Sequence, residues 1–159
     1  MGKRRTIKGP EFPHRKDDQG RPLCRFCGAL VLPPRRAWCS KKCVDGYLAL
    51  TDWRVIRRRI RKRDKGVCTA CRCDTNRLRR VLKHLARRDY VALLRSLGFN
   101  PKRSFWEADH IVEVVRGGTN DLSNLATLCV PCHKAKTREF ARVRAEERRE
   151  AHRMKDPQS

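Results

Sequence analysis

Eight of the nine cysteines fall into four close-spaced pairs: Cys24-x-x-Cys27, Cys39-x3-Cys43, Cys68-x-x-Cys71 and Cys129-x-x-Cys132. Two thiols on one tight turn supply half of a tetrahedral site, and two such turns can enclose an ion with no position left open, the arrangement of structural zinc. These spacings constrain the chain more than its hydrophobic pattern does. Cys24, Cys27, Cys39 and Cys43 predict a small N-terminal zinc finger over residues 22–50. Cys68, Cys71, Cys129 and Cys132 predict a second Zn2+ site that ties distant segments of one domain together. Cys73 is left over, as a free thiol or an alternative ligand. No apolar run follows Met1–Arg5 and no stretch reaches membrane-spanning length. A reducing, intracellular compartment, cytoplasmic or nucleoid-associated, is expected, with no membrane partner.

The stretch Trp106–Thr137 carries the residues with chemistry. Asp109 and His110 are adjacent, which sets a hard metal ligand beside a proton acceptor. The β-branched run Ile111–Val115 predicts a strand. Residues 116–121 are turn chemistry, Leu125–Cys129 reads as a second short strand, and Pro131 suits the first turn of a helix bearing Cys132, His133 and Lys136. Strand, turn, strand, helix is the expected order.

Taken together, Cys68-x-x-Cys71, Asp109-His110-Ile111, Gly117-Gly118, Asn124-Leu125 and Cys129-x-x-Cys132-His133-x-x-Lys136-Thr137 resemble the HNH endonuclease family. The likeness is to the subgroup with four zinc-binding cysteines, and it spans Arg54 to Arg142. It implies an α+β fold with a ββα-metal core, and a metal-dependent enzyme that hydrolyses DNA phosphodiester bonds. By resemblance, His110 is the general base that activates water. Asp109 and His133 hold one catalytic divalent ion, Mg2+ or Mn2+, and Asn124 fixes the loop that orients His110. Lys136 and Lys134 are placed to add charge at the phosphate. Glu113 stands where many members of the family have proline. The upstream cysteines, with their Cys-Ser-x-x-Cys helix start, are also similar to the nuclease modules of annealing helicases, which points to branched or forked DNA. A non-catalytic zinc module that binds DNA or RNA is the second reading of the same residues.

Forty Lys and Arg against 17 Asp and Glu leave a formal charge of +23. A polyanion is the natural partner of such a chain, with phosphate contacts dominating affinity, although ribosomal and membrane-surface proteins share this bias. Residues 1–21 read as a flexible basic arm. Arg35 and Arg36 of the finger are candidate DNA contacts. Thr51 and Asp52 predict a cap for a helix in which Trp53, Ile56 and Ile60 share one face. Arg54, Arg57, Arg58, Arg59, Arg61, Lys62 and Arg63 are then left for phosphate, with Arg57, Arg58 and Arg61 foremost. Two further apolar stripes, Leu78/Val81/Leu82/Leu85 and Tyr90/Leu93/Leu94/Leu97, predict a helical insert over residues 74–98, its second helix capped by Asp89 and ended by Gly98. The nuclease domain is expected over residues 51–142, and residues 143–159 as a charged helix or tail that frays near Met154.

Overall fold

The computed structural model describes residues 11–155. These group into two compact units: the residues up to Arg63 with His110–Ala126, and Asp64–Asp109 with those from Thr127 on. Among the described residues no helix is long and apolar enough to cross a membrane.

In the first unit, β1 (Arg15–Lys16) pairs antiparallel with β2 (Pro22–Leu23) around a turn closed by Asp17. The Asp17 carboxylate accepts the Arg21 N–H at 2.8 Å and ion-pairs with the Arg21 side chain at 2.7 Å. A hairpin therefore occupies part of the stretch expected as a flexible arm, while residues 1–10 lie outside the described residues. The physical reason is Phe12, which stacks on Phe26 at 5.9 Å and meets Tyr47 edge-on at 5.1 Å. Trp38 lies 4.7 Å from the same Tyr47 ring. Around the first four cysteines the buried cluster is Cys24, Val31 and Cys43, with Trp38 packed against it, so aromatic rings supply much of the burial there.

Helix α1 (Lys41–Thr51) starts at Ser40, whose hydroxyl accepts the Cys43 N–H at 3.3 Å. Helix α2 (Trp53–Asp64) follows at once, and Asp52 accepts the Arg54 N–H at 2.8 Å as the capping pattern predicts. Ile56 and Ile60 are fully buried. Arg63 departs from its expected role at phosphate. Its guanidinium donates to the Leu122 carbonyl and, at 2.6 Å, to the Leu125 carbonyl, so it serves as a brace for the chain around them.

The second unit contains α3 (Thr75–Leu82) and α4 (Arg87–Ser96), which fill the predicted insert. Asp74 caps α3 by accepting the N–H groups of Asn76 and Arg77, both at 2.9 Å. The expected cap on α4 is not formed: the helix opens at Ala86, which leaves Asp89 inside the first turn, where its charge suits the helix dipole. Leu82, Leu94, Phe99, Phe105 and Leu128 build the core with Cys68 and Cys129. Val81, Leu93 and Leu97 of the same stripes stay exposed, so each helix buries one narrow edge.

Strands β3 (Trp106–His110) and β4 (Leu125–Cys129) form a two-stranded sheet, and α5 (Val130–Lys155) follows directly. Backbone bonds frame the sheet at both ends: Ile111 N to Asn124 O at 2.7 Å, and Val130 N to Phe105 O at 3.0 Å. The order strand, loop, strand, helix is the expected one, but the first strand lies five residues earlier than the β-branched run suggested. Ile111–Glu113 is irregular and Val114–Arg116 is a 3-10 turn. Ile111 and Val115 are 55% and 63% exposed, so strand propensity without a surface to pack on did not make a strand. Helix α5 runs to Lys155, the last of the described residues.

Candidate metal centres and candidate active site

Two sets of four cysteines come together, Cys24/Cys27/Cys39/Cys43 and Cys68/Cys71/Cys129/Cys132, each with its sulfurs within 4.8 Å of one another. In the first set Cys27 lies 3.5 Å from Cys39 and 3.6 Å from Cys43, and Cys39 lies 3.4 Å from Cys43. In the second, Cys71 and Cys129 are 3.6 Å apart. Thiolates about 2.3 Å from a tetrahedral ion stand about 3.8 Å from one another, so both sets suit one metal ion each. Cys73 lies in neither set, and burial pushes its thiol up from the ordinary range.

The two sets are built on the same turn. Gly28 N bonds Cys24 O at 2.8 Å and Cys24 N bonds Ala29 O at 2.7 Å; the second turn repeats this with Arg72 N to Cys68 O and Cys68 N to Cys73 O, both 2.9 Å. The residue after the second cysteine adopts positive φ in each case, +79° at Gly28 and +62° at Arg72. These turns aim N–H groups at the first sulfur. Burial raises the Cys24 thiol, but the N–H groups of Cys27, Cys39 and Phe26 outweigh it and bring the pKa to about 6. The same balance at Cys68, with N–H groups from Cys71, Cys129 and Ala70, gives about 7. The neighbours move the other way. Hydrogen bonding to Cys43 and Cys27 pushes Cys39 up to about 12, and burial foremost pushes Cys129 upward. Each set thus holds one thiol drawn toward the thiolate, Cys24 or Cys68, beside another, Cys39 or Cys129, whose proton is held more firmly.

In the second unit, the Asp109 carboxylate meets two residues of α5. His133 Nε2 lies 3.7 Å from Oδ1, and Lys136 Nζ lies 2.9 Å from Oδ2. Three-residue spacing puts His133 and Lys136 on one side of the helix, and Thr137 donates to the His133 carbonyl at 2.8 Å. Ligand atoms each about 2.1 Å from an ion can stand up to about 4.2 Å apart, so Asp109 and His133 fit one shared ion.

In the first unit, His110 is 8% exposed, its Nε2 lies 2.8 Å from Asn120 Oδ1, and its ring stacks on Trp53 at 5.8 Å. Asn124 closes the loop that follows: its Oδ1 accepts the Val112 N–H at 2.8 Å, and its Nδ2 donates to Val112 O at 3.0 Å and Thr119 O at 2.9 Å. A Cβ at Gly118 would come within 1.8 Å of Val112 O and 2.8 Å of Asn124 Nδ2, so only glycine fits beside this staple. Glu113, at the position where proline is common, has φ −63°, the value a proline ring would impose. The backbone shape survives the exchange.

Of the nucleic-acid candidates, Arg35, Arg36, Arg58 and Arg61 are exposed and Arg57 is half-buried. Lys134 is exposed and donates to Gly98 O at 3.2 Å. Asn120, Trp53 and Arg63 were not singled out by sequence for the places they take. Asn120 reads as turn chemistry, Trp53 as core, and Arg63 as one more cation in an arginine run.

A strand ending in Asp-His, a loop stapled by asparagine, a second strand and a helix opening with Cys-x-x-Cys-His follow one another in the order that the sequence resemblance implies. Residues 98–139 match the family described as HNH endonuclease, and the chain carries an HNH domain there. Over 157 residues it is 32% identical to the protein named DNA annealing helicase and endonuclease ZRANB3 from Mus musculus, an alignment that takes in 84% of this chain and 15% of that protein. The Homo sapiens protein of that name is 28% identical over 159 residues, covering 85% of this chain and 15% of its own length. The chain thus spans about 15% of the length of these relatives. The crystal structure of the human ZRANB3 HNH domain is similar with 27% identity and a TM-score of 0.48, over 62% of this chain and 97% of that one.

Proposed function

We propose that this chain is a metal-dependent endonuclease that hydrolyses DNA phosphodiester bonds. The observation that carries the reading is the Asp109-His110 pair on β3: the carboxylate lies 3.7 Å from His133 Nε2, and the next residue is a buried imidazole tied to Asn120. The HNH match and the relatives' names, which include DNA and endonuclease, support the substrate class.

Asp109 and His133 would hold one Mg2+ or Mn2+ ion, which supplies positive charge for the scissile phosphate and its leaving oxygen. His110 takes a proton from the attacking water, Asn124 keeps the loop after β3 in shape, and Lys136 adds charge at the phosphate. Zn2+ held by Cys68, Cys71, Cys129 and Cys132 would tie the Cys68–Cys71 turn to the place where β4 runs into α5, and Zn2+ held by Cys24, Cys27, Cys39 and Cys43 would staple the finger. Arg35, Arg36, Arg57, Arg58, Arg61 and Lys134 contact phosphates, which set register without reading sequence.

The test is cleavage of duplex, nicked, forked and single-stranded DNA with Mg2+ or Mn2+ by wild type and His110→Ala. The likeness to annealing-helicase proteins puts forked and branched DNA first on that panel. Wild type cuts, and the variant binds but loses about 10²–10⁴-fold in rate. Binding without cleavage on every substrate and ion overturns the reading and leaves the non-catalytic zinc module in its place.

A further inference from the structure

Asn120 is 9% exposed and bonds at both ends of its amide. Nδ2 donates to the Leu50 carbonyl at 2.8 Å, and Oδ1 lies 2.8 Å from His110 Nε2. A backbone carbonyl can only accept, so the NH2 end must face Leu50 and the oxygen must face the ring. An amide oxygen also only accepts, which requires a hydrogen on Nε2. A neutral imidazole protonated at Nε2 carries its lone pair on Nδ1. The ring is held on its face as well: Trp53 stacks on it at 5.8 Å with 24° between the planes. Leu50 lies in the last turn of α1 and Trp53 is the first residue of α2, so a junction of four residues grips both the edge and the face of His110. That junction precedes the segment 98–139 matched by the HNH family.

We infer that Asn120, braced by the α1–α2 junction, is a positioning residue that locks His110 in the Nε2–H tautomer and so makes Nδ1 the basic atom. The inference rests on the proposed function in taking His110 as the base. In that reaction a water O–H bond breaks, its proton forms a new N–H on Nδ1, and the hydroxide oxygen bonds to phosphorus as the leaving oxygen departs. The ring becomes an imidazolium while the Nε2–H bond to Asn120 is kept, so the amide oxygen, its dipole already aimed at the ring, stabilises the added charge with no rearrangement. The alternative tautomer would put a hydrogen on Nδ1 and set two acceptors against each other at Nε2.

The test reads the His110 ring nitrogens by long-range proton–nitrogen correlation in the full chain, without DNA, for wild type, Asn120→Leu and Asn120→Asp. The leucine variant keeps the volume but has no acceptor; the aspartate variant keeps an oxygen at Nε2 and loses the donor to Leu50. Wild type shows hydrogen on Nε2, Asn120→Leu shows a mixture of tautomers, and Asn120→Asp keeps the wild-type pattern. In cleavage, kcat falls by about 10²-fold or more in Asn120→Leu with KM little changed, and less in Asn120→Asp. A role confined to bracing Leu50 would instead leave the tautomer unchanged in every variant and impair both alike. Hydrogen on Nδ1 in wild type overturns the inference even if the enzyme cuts. Hydrogen on Nε2, lost in Asn120→Leu, in a protein that cuts no DNA sinks the nuclease reading alone. If the leucine variant does not fold, the wild-type spectrum and the aspartate variant still decide.

Discussion

Lys136 Nζ sits 2.9 Å from Asp109 Oδ2, closer to the carboxylate than His133 Nε2 at 3.7 Å from Oδ1. The ammonium neutralises the charge that a divalent ion would use, so lysine and ion compete for one ligand. The side chains of this pair are 34% and 21% exposed, and an ion pair so placed is worth up to about 1 kcal/mol. Lys136→Met should therefore bind Mn2+ a few-fold more tightly in calorimetry while cutting DNA more slowly. Unchanged affinity would mean that the lysine is no competitor.

Asn124 makes three hydrogen bonds to the backbone of its own loop. At about 1 kcal/mol net for each, Asn124→Ala should cost about 2–3 kcal/mol locally. Hydrogen exchange at the Val112 amide is the measurement, and wild-type protection in the variant would show that the staple carries no weight.

The two cysteine turns differ at the residue with positive φ. An L side chain there costs about 1–2 kcal/mol, which Arg72 bears and Gly28 avoids. Arg72→Gly is expected to raise the melting temperature and Gly28→Ala to lower that of the finger. Opposite signs in the same melt check the shared geometry.

Metal analysis of the purified chain should find two tightly held zinc ions. Loading the finger should release fewer than four protons at neutral pH, because its four cysteines include Cys24, already ionised with a pKa of about 6. Cys39, pushed up to about 12, has to surrender its proton to the metal, so affinity falls as pH falls. Calorimetry in buffers of different ionisation heat gives the proton count directly, and four would place Cys24 among the protonated thiols.

With a formal charge of +23, binding to duplex DNA should weaken steeply with salt. Replacing Arg58 and Arg61 by alanine should lower the slope of log affinity against log salt by about 2. A slope that stays as it was takes α2 off the binding surface.

What sequence made legible was the part with a fixed spacing. The cysteine pairs, the Asp-His pair, and the order of strand, loop, strand and helix all follow from local chemistry, and each is found at the expected residues or within five of them. What escaped was decided by packing. Ile111–Val115 has strand propensity, yet Ile111, Val112 and Val115 meet solvent, and the strand forms where Ala108 and His110 are buried. Arg63 looks like its neighbours on α2 until two carbonyls take its donors. Phe12, inside a basic polar stretch, gave no hint of the two rings waiting for it. Asn120 is a turn residue by composition and a ring anchor only once Leu50 is brought to it.

The loop between β3 and β4 is drawn so tight at Gly118 that a single added carbon would land 1.8 Å from the Val112 oxygen. Anyone randomising this loop inherits a codon that cannot vary, beside the two asparagines, Asn120 and Asn124, that hold its ends. The freedom to redesign lies at exposed Ile111 and Val115, whose side chains can be exchanged while that absent methyl holds the curve.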